Sequence, residues 1–154
     1  MMRRVWGTAL VLLATTTAAG CATAVAGKPV AAVSATGQDR SLITKYFADL
    51  DDAGTQGAGA QRDFLRRTQH PDFASATCDL GGLTLRIEPT MSTLRTDPKW
   101  KPERAGKPPR GTVYVVAVSV WIRRDTATLA EQIGSQRVVV LDGKAYGFTP
   151  CPTR

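Results

Sequence analysis

Apolar positions along the chain change period once, and that change divides the fold. Leu42, Ile43, Tyr46, Phe47 and Leu50 recur at i, i+3, i+4 and i+7, which predicts an amphipathic helix capped by Ser41 or Asp39. Asp51 to Gly59 (DDAGTQGAG) reads as a glycine-rich break. A second helix is expected over about 60–68, with Phe64 and Leu65 inward and Arg62, Arg66 and Arg67 outward. It ends at His70-Pro71, because a residue before proline is pushed out of helical conformation.

After Cys78 the period becomes two. Leu83, Leu85 and Ile87 alternate with Thr84, Arg86 and Glu88, the pattern of a half-buried strand, continuing beyond Pro89 toward Leu94. Thr112 to Arg123 (TVYVVAVSVWIR) is the strongest strand signal. Tyr114, Val116, Val118, Val120 and Ile122 share one face, and Val113, Val115, Ala117, Ser119 and Trp121 share the other. Both faces are mostly apolar, so this strand is expected to be central and covered on each side. Two more strands follow at about 126–133 and 136–141, and Asp142-Gly143 marks a two-residue hairpin. The expected class is α+β: two or three N-terminal helices packed on a curved antiparallel sheet of four to five strands.

The N-terminus carries an address rather than a fold. Arg3-Arg4 precedes a short apolar run, Val5 to Ala14, well below the roughly 20 residues a membrane-spanning helix needs. Small residues then lead to a cysteine, and Ala18-Ala19-Gly20-Cys21 resembles a bacterial lipobox, with Ala18 where leucine is more usual. That resemblance implies a signal peptide over 1–20, acylation of Cys21 and anchorage on the extracytoplasmic side of the cell membrane. Residues 21–40 lack aromatics and hydrophobic periodicity and read as a flexible tether, leaving 41–154 as one folded domain.

Charge and cysteine content narrow the function classes. Loss of Arg3 and Arg4 with the leader takes the formal net charge from +7 toward a modest +5. The excess gathers in Pro98 to Arg110, where Lys99, Lys101, Arg104, Lys107 and Arg110 stand among four prolines. Such a loop is either a solvated extended surface or a contact for anionic headgroups or an acidic partner. Outside the cytoplasm, with no recognition motif, nucleic acid is not expected as a partner. With Cys21 lipidated, Cys78 and Cys151 remain as a disulfide pair in an oxidising compartment.

LITKYFADLDDAG, FLRRTQHPDF, VYVVAVSVWI and RVVVLDGKAYGFTPC together resemble the NTF2-like (SnoaL-like, cystatin-like cone) superfamily, in the form found as small actinobacterial lipoproteins. LDGKAYGF matches that family's final hairpin, with Ala145 where an aromatic is common. The resemblance covers about residues 40–152 and implies a cone of sheet around the helices. Enzymes of this superfamily place carboxylates, histidines and tyrosines inside the cone. His70, the only histidine, and Asp72 are the weak candidates for a general base. The same residues serve equally well as a helix cap and its carboxylate partner. Tyr46, Tyr114 and Tyr146 fit either a cavity lining or a core. Asp49, Asp51 and Asp52 at a helix end fit a solvated cluster better than a cation site. No metal-ligand spacing, nucleophile elbow, P-loop or dinucleotide fingerprint occurs, and no cofactor is implied.

The expected function is therefore a non-enzymatic, membrane-anchored envelope lipoprotein that binds a partner protein or a small apolar ligand. An isomerase- or dehydratase-like enzyme acting on a lipid or steroid-like substrate is the alternative, and a lipid-transport accessory using the basic loop is a third. A homodimer through the sheet face that carries Trp121 is also expected to be open to this fold.

Overall fold

In a computed structural model of the chain, residues 35–103 and 105–150 are described. Two helices, α1 (Gly37–Thr55) and α2 (Ala58–Thr68), pack against an open four-stranded antiparallel sheet. The strands are β1 (Thr84–Thr96), β2 (Thr112–Arg124), β3 (Ala127–Leu141) and β4 (Lys144–Tyr146), in the order β1-β2-β3-β4. The class is α+β, as the change of period predicts. A single 3-10 turn at Pro71–Phe73 separates helices from sheet.

Helix α1 is longer at both ends than its apolar stripe. Its cap is Thr36, whose hydroxyl oxygen accepts from the Asp39 amide at 3.1 Å, so neither Ser41 nor Asp39 caps it. Residues 37–40, assigned from sequence to the tether, form its first turn. At the other end the expected break at 51 does not occur. Ala53 is buried, and a Cβ on Gly54 would lie 2.6 Å from Gln61 Nε2. Gly54 is there to admit a neighbour, and the turn falls at Gly57, where φ is +113°.

The neighbour admitted is Gln61, buried at the joint of three elements. Its Nε2 donates to the carbonyls of Leu50 (3.1 Å) and Leu85 (2.6 Å), and its Oε1 accepts from the Leu85 amide at 2.7 Å. One side chain thus stitches α1, α2 and β1. Ile43, Tyr46, Phe47, Leu50, Phe64 and Leu65 fill the space between the helices and the sheet. Leu85, Ile87, Tyr114, Val116, Val118 and Val138 form the sheet side of that core.

Strand β1 tolerates Pro89 because it lies at the sheet edge. Between Thr90 and Arg95 its register slips, and residues 91–94 face only Val116 of β2. Thr93 fills the gap in the ladder, its hydroxyl oxygen accepting from the Ala117 amide at 2.8 Å.

Strand β3 corrects the expectation of two strands at 126–133 and 136–141. Its register opposite β2 runs without a break through Gly134↔Val118 and Ser135↔Ala117, so one strand of 15 residues forms. The Asp142-Gly143 hairpin is present, with φ of 50° and 71°. Strand β2 is central as expected, but it is covered on both faces only in its first half. Val113 to Val116 are buried, whereas Ser119 to Arg123 are half-exposed.

Candidate functional site

Length decides where the sheet is bare. At about 3.3 Å per residue, β2 and β3 extend roughly 43–50 Å, whereas α1 at 1.5 Å per residue reaches about 28 Å. Helix α1 crosses the sheet obliquely, from Tyr114 of β2, which Asp39 meets, to Leu85 and Ile87 of β1, which Gln61 of α2 and Asp51 meet, and the far half of β2 and β3 projects beyond it. Cross-strand pairing places Leu85 beside Ile122 and Ile87 beside Val120 on the helix-side face. With Val118, and with Leu80 and Leu83 from the preceding turn, they line a trough of about 450 Å³. Gln132 and Gln136 of β3 and Pro150 stand at its rim, and its lining contains no charged side chain.

This lining suits an apolar guest and offers no acid or base. A volume of a few hundred Å³ with a few polar groups at the edge is characteristic of small-ligand sites. On the opposite face, Ile133 is 85 % exposed, and Leu129 of the same strand is 54 % exposed.

His70 and Asp72 lie elsewhere, at the near end of the sheet. His70 is fully buried, its ring stacked on Phe148 at 5.8 Å and edge-on to Tyr146. Its Nδ1 accepts from the Asp72 amide at 3.2 Å, which leaves the proton on Nε2 to meet the Arg110 carbonyl oxygen at 2.9 Å. Both nitrogens are thus engaged by the chain itself. The Asp72 carboxylate takes a forked pair from Arg110 Nε and Nη2 at 2.9 and 2.8 Å. Those hydrogen bonds hold its carboxyl below the usual range and push the Arg110 guanidinium up. HPD here is a clasp on the segment 97–111, and the substrate-facing geometry a general base needs is not present around it.

The same segment accounts for the basic loop. Asp97 pairs with Arg137 at 3.4 Å, and Trp100 packs edge-on to Phe148 at 4.8 Å beneath the Arg137 guanidinium. The loop's ends meet the second sheet face, where the Asp97 amide donates to the Val113 carbonyl at 2.9 Å and Gly111 lies against Val139. Lys99, Lys101 and Lys107 remain exposed, Arg110 is committed to Asp72, and Arg104 lies outside the described residues.

The tyrosines and aspartates resolve as structure. The Tyr46 ring runs directly under Gly147, where a Cβ would overlap it, and burial pushes its phenol up to about 12. Tyr114 donates to Asp39 Oδ2 at 2.5 Å, and burial followed by that contact raises it to about 12. Asp49 pairs with Lys45, and Asp51 accepts from the Ile87 amide at 3.0 Å while burial pushes its carboxyl up. Among the described residues no group of three or more His, Cys, Asp or Glu is placed to hold a metal. Trp121 is half-buried on the face opposite the helices, with the Arg86 guanidinium 5.2 Å from its ring centre.

Two residues of consequence escaped the sequence reading. Gln61 stands at i−3 and i−4 from Phe64 and Leu65, so its place on the buried stripe was available as a signal. Gln69, also buried, donates to the carbonyls of Phe73 and Ala76 and accepts from the Thr149 amide and hydroxyl. That role depends on contacts 80 residues apart, which no local pattern carries.

Cys78 Sγ lies 3.5 Å from the Pro150 carbonyl oxygen, the residue next to Cys151 in sequence. Cys151 and Cys21, and with them the expected pairing, leader and lipidation, fall outside the described residues. Among the described residues no helix is long and apolar enough to cross a membrane. Comparison of the chain with protein-family models, curated proteins and solved structures finds no match.

Proposed function

We propose that this chain is a lipid-anchored cell-envelope protein whose α+β domain holds a small apolar ligand, of the bulk of an acyl chain, without transforming it. The trough over Val118, Val120 and Ile122 carries the reading: it is apolar, about 450 Å³ in volume, and free of titratable side chains. A sheet that wraps its helices into an NTF2-like cone fits the same elements, with the trough as the open mouth. The arrangement Ala18-Ala19-Gly20-Cys21 supports the anchor, and Cys78 beside Pro150 supports a Cys78–Cys151 bridge made outside the cytoplasm.

Nile red titration of the purified protein tests the trough. Saturable fluorescence gain is expected, and Val120→Glu, which sets a charge in the lining, should weaken the dye at least tenfold with the melting curve preserved. Equal binding by the wild type and Val120→Glu would place the dye elsewhere and refute the reading.

A further inference from the structure

The two edges of the sheet are built differently. The β1 edge carries Pro89, Arg86, Glu88 and Arg95, and its ladder is broken by the excursion at 91–94. These are the devices by which proteins stop an edge strand from pairing with another chain. The β3 edge has fewer of them: its register opposite β2 shifts once, at Leu129. From Thr128 to Val138 (TLAEQIGSQRV) it contains two charges of opposite sign, Glu131 and Arg137, and no proline. Strand β4 covers only Val139 to Leu141, and among the described residues nothing else pairs with that side of β3. Ile133, the most exposed large hydrophobic among the described residues, stands in this open stretch.

We propose that the β3 edge pairs antiparallel with the same edge of a second copy, joining two four-stranded sheets into one of eight strands. The Asp142-Gly143 turn makes Leu141 and Val139 the residues whose backbone groups face β4. Alternation then directs the N–H and C=O of Arg137, Ser135, Ile133 and Glu131 to the open side. A two-fold axis preserves sheet faces, so the self-pairing registers differ by two residues. The register that sets Ile133 opposite Ile133 buries the most exposed apolar side chain against its twin. It also puts Glu131 diagonal to Arg137 of the second copy, within reach of a long side chain. Sliding four residues toward the β2–β3 turn would instead oppose Glu131 to Glu131, a like-charge contact.

Ile133 lies on the Trp121 face and this edge also borders the trough. The contact is read by oligomeric state and cross-linking rather than by dye binding, so it stands or falls separately from the ligand proposal. Sedimentation and native mass spectrometry of the full-length protein should show a dimer at micromolar concentration. With p-benzoylphenylalanine in place of Ile133, illumination should trap a covalent homodimer whose cross-links map to 131–135 of the other copy. Ser135→Pro removes an N–H that faces only the open edge, and Glu131→Lys sets a cation diagonal to Arg137 of the second copy. Each should raise the dimer dissociation constant at least tenfold while leaving the circular dichroism spectrum unchanged. A monomeric wild type, a cross-link to a different protein, or a dimer indifferent to Glu131→Lys would overturn the proposal. Glu131 is fully on the surface, so that variant decides the matter even if Ser135→Pro does not fold.

Discussion

His70 Nε2 reaches the carbonyl oxygen of Arg110 across forty residues of sequence, at 2.9 Å, and both ends of that contact are held again through Asp72. The sole histidine thereby locks the long loop before β2 onto the end of α2, with Phe73, Tyr146 and Phe148 packed around the ring. A residue type often associated with proton transfer is here a structural fastener.

The first prediction concerns the acid side of stability. The Asp72 carboxyl is held below its ordinary range by Arg110, so the clasp is fully present above the unfolded carboxylate value. Its contribution is lost as pH falls through the lower folded value. Asp72→Asn should therefore reduce stability at neutral pH and flatten the acid limb of a urea-midpoint profile over that window. A variant whose acid limb matches the wild type would contradict the assignment.

The second concerns Gln61. Replacing it with Leu leaves the Leu85 amide and the Leu50 and Leu85 carbonyls without this partner in a buried joint. A loss of about 2–3 kcal/mol in chemical denaturation is expected. Gly54→Ala, which drives a Cβ into Gln61 Nε2, should show a loss of the same sign.

The third concerns high pH. Tyr46 and Tyr114 hold their protons to about 12 in the folded protein, against an ordinary phenol near 10. Their contribution to folding stability should be level below the ordinary value and be lost as pH rises from there toward 12. Phenolate absorbance during alkaline titration should show Tyr46 and Tyr114 ionising late or together with unfolding. Tyr114→Phe removes one late phenol, and a native wild type in which no phenol ionises late would count against both burial assignments.

The fourth concerns the cysteines. Cys78 lies at the residue preceding Cys151, so the protein isolated from its own cells should contain no thiol at either position by alkylation and mass measurement. Reduction, or Cys78→Ser, should lower stability by about 4 kcal/mol on the chain-entropy account of so long a loop.

Much of the fold was legible in hydrophobic spacing. The apolar stripe from Leu42 to Leu50, the alternation through β1 and β2, and the Asp-Gly hairpin each formed as their pattern implied. Boundaries were less legible. The first turn of α1 is polar, and Asp39 and Arg40 find their use only on contact with Tyr114 and the Met91 carbonyl. Gly134-Ser135 looks like a break until β2 lies beside it, because an extended ladder accepts a glycine that an isolated strand would not mark out.

By itself the sequence determined the class of fold, the central strand, and the apolar character of Val118, Val120 and Ile122. Periodicity of side chains is a local property, and these features need nothing beyond it. Only the tertiary structure decided that His70 is enclosed and that, among the described residues, the trough lies open and one sheet edge is guarded while the other is bare. Those outcomes depend on how far the helices reach along the longer strands and on which distant residues meet, quantities that no run of neighbouring residues encodes.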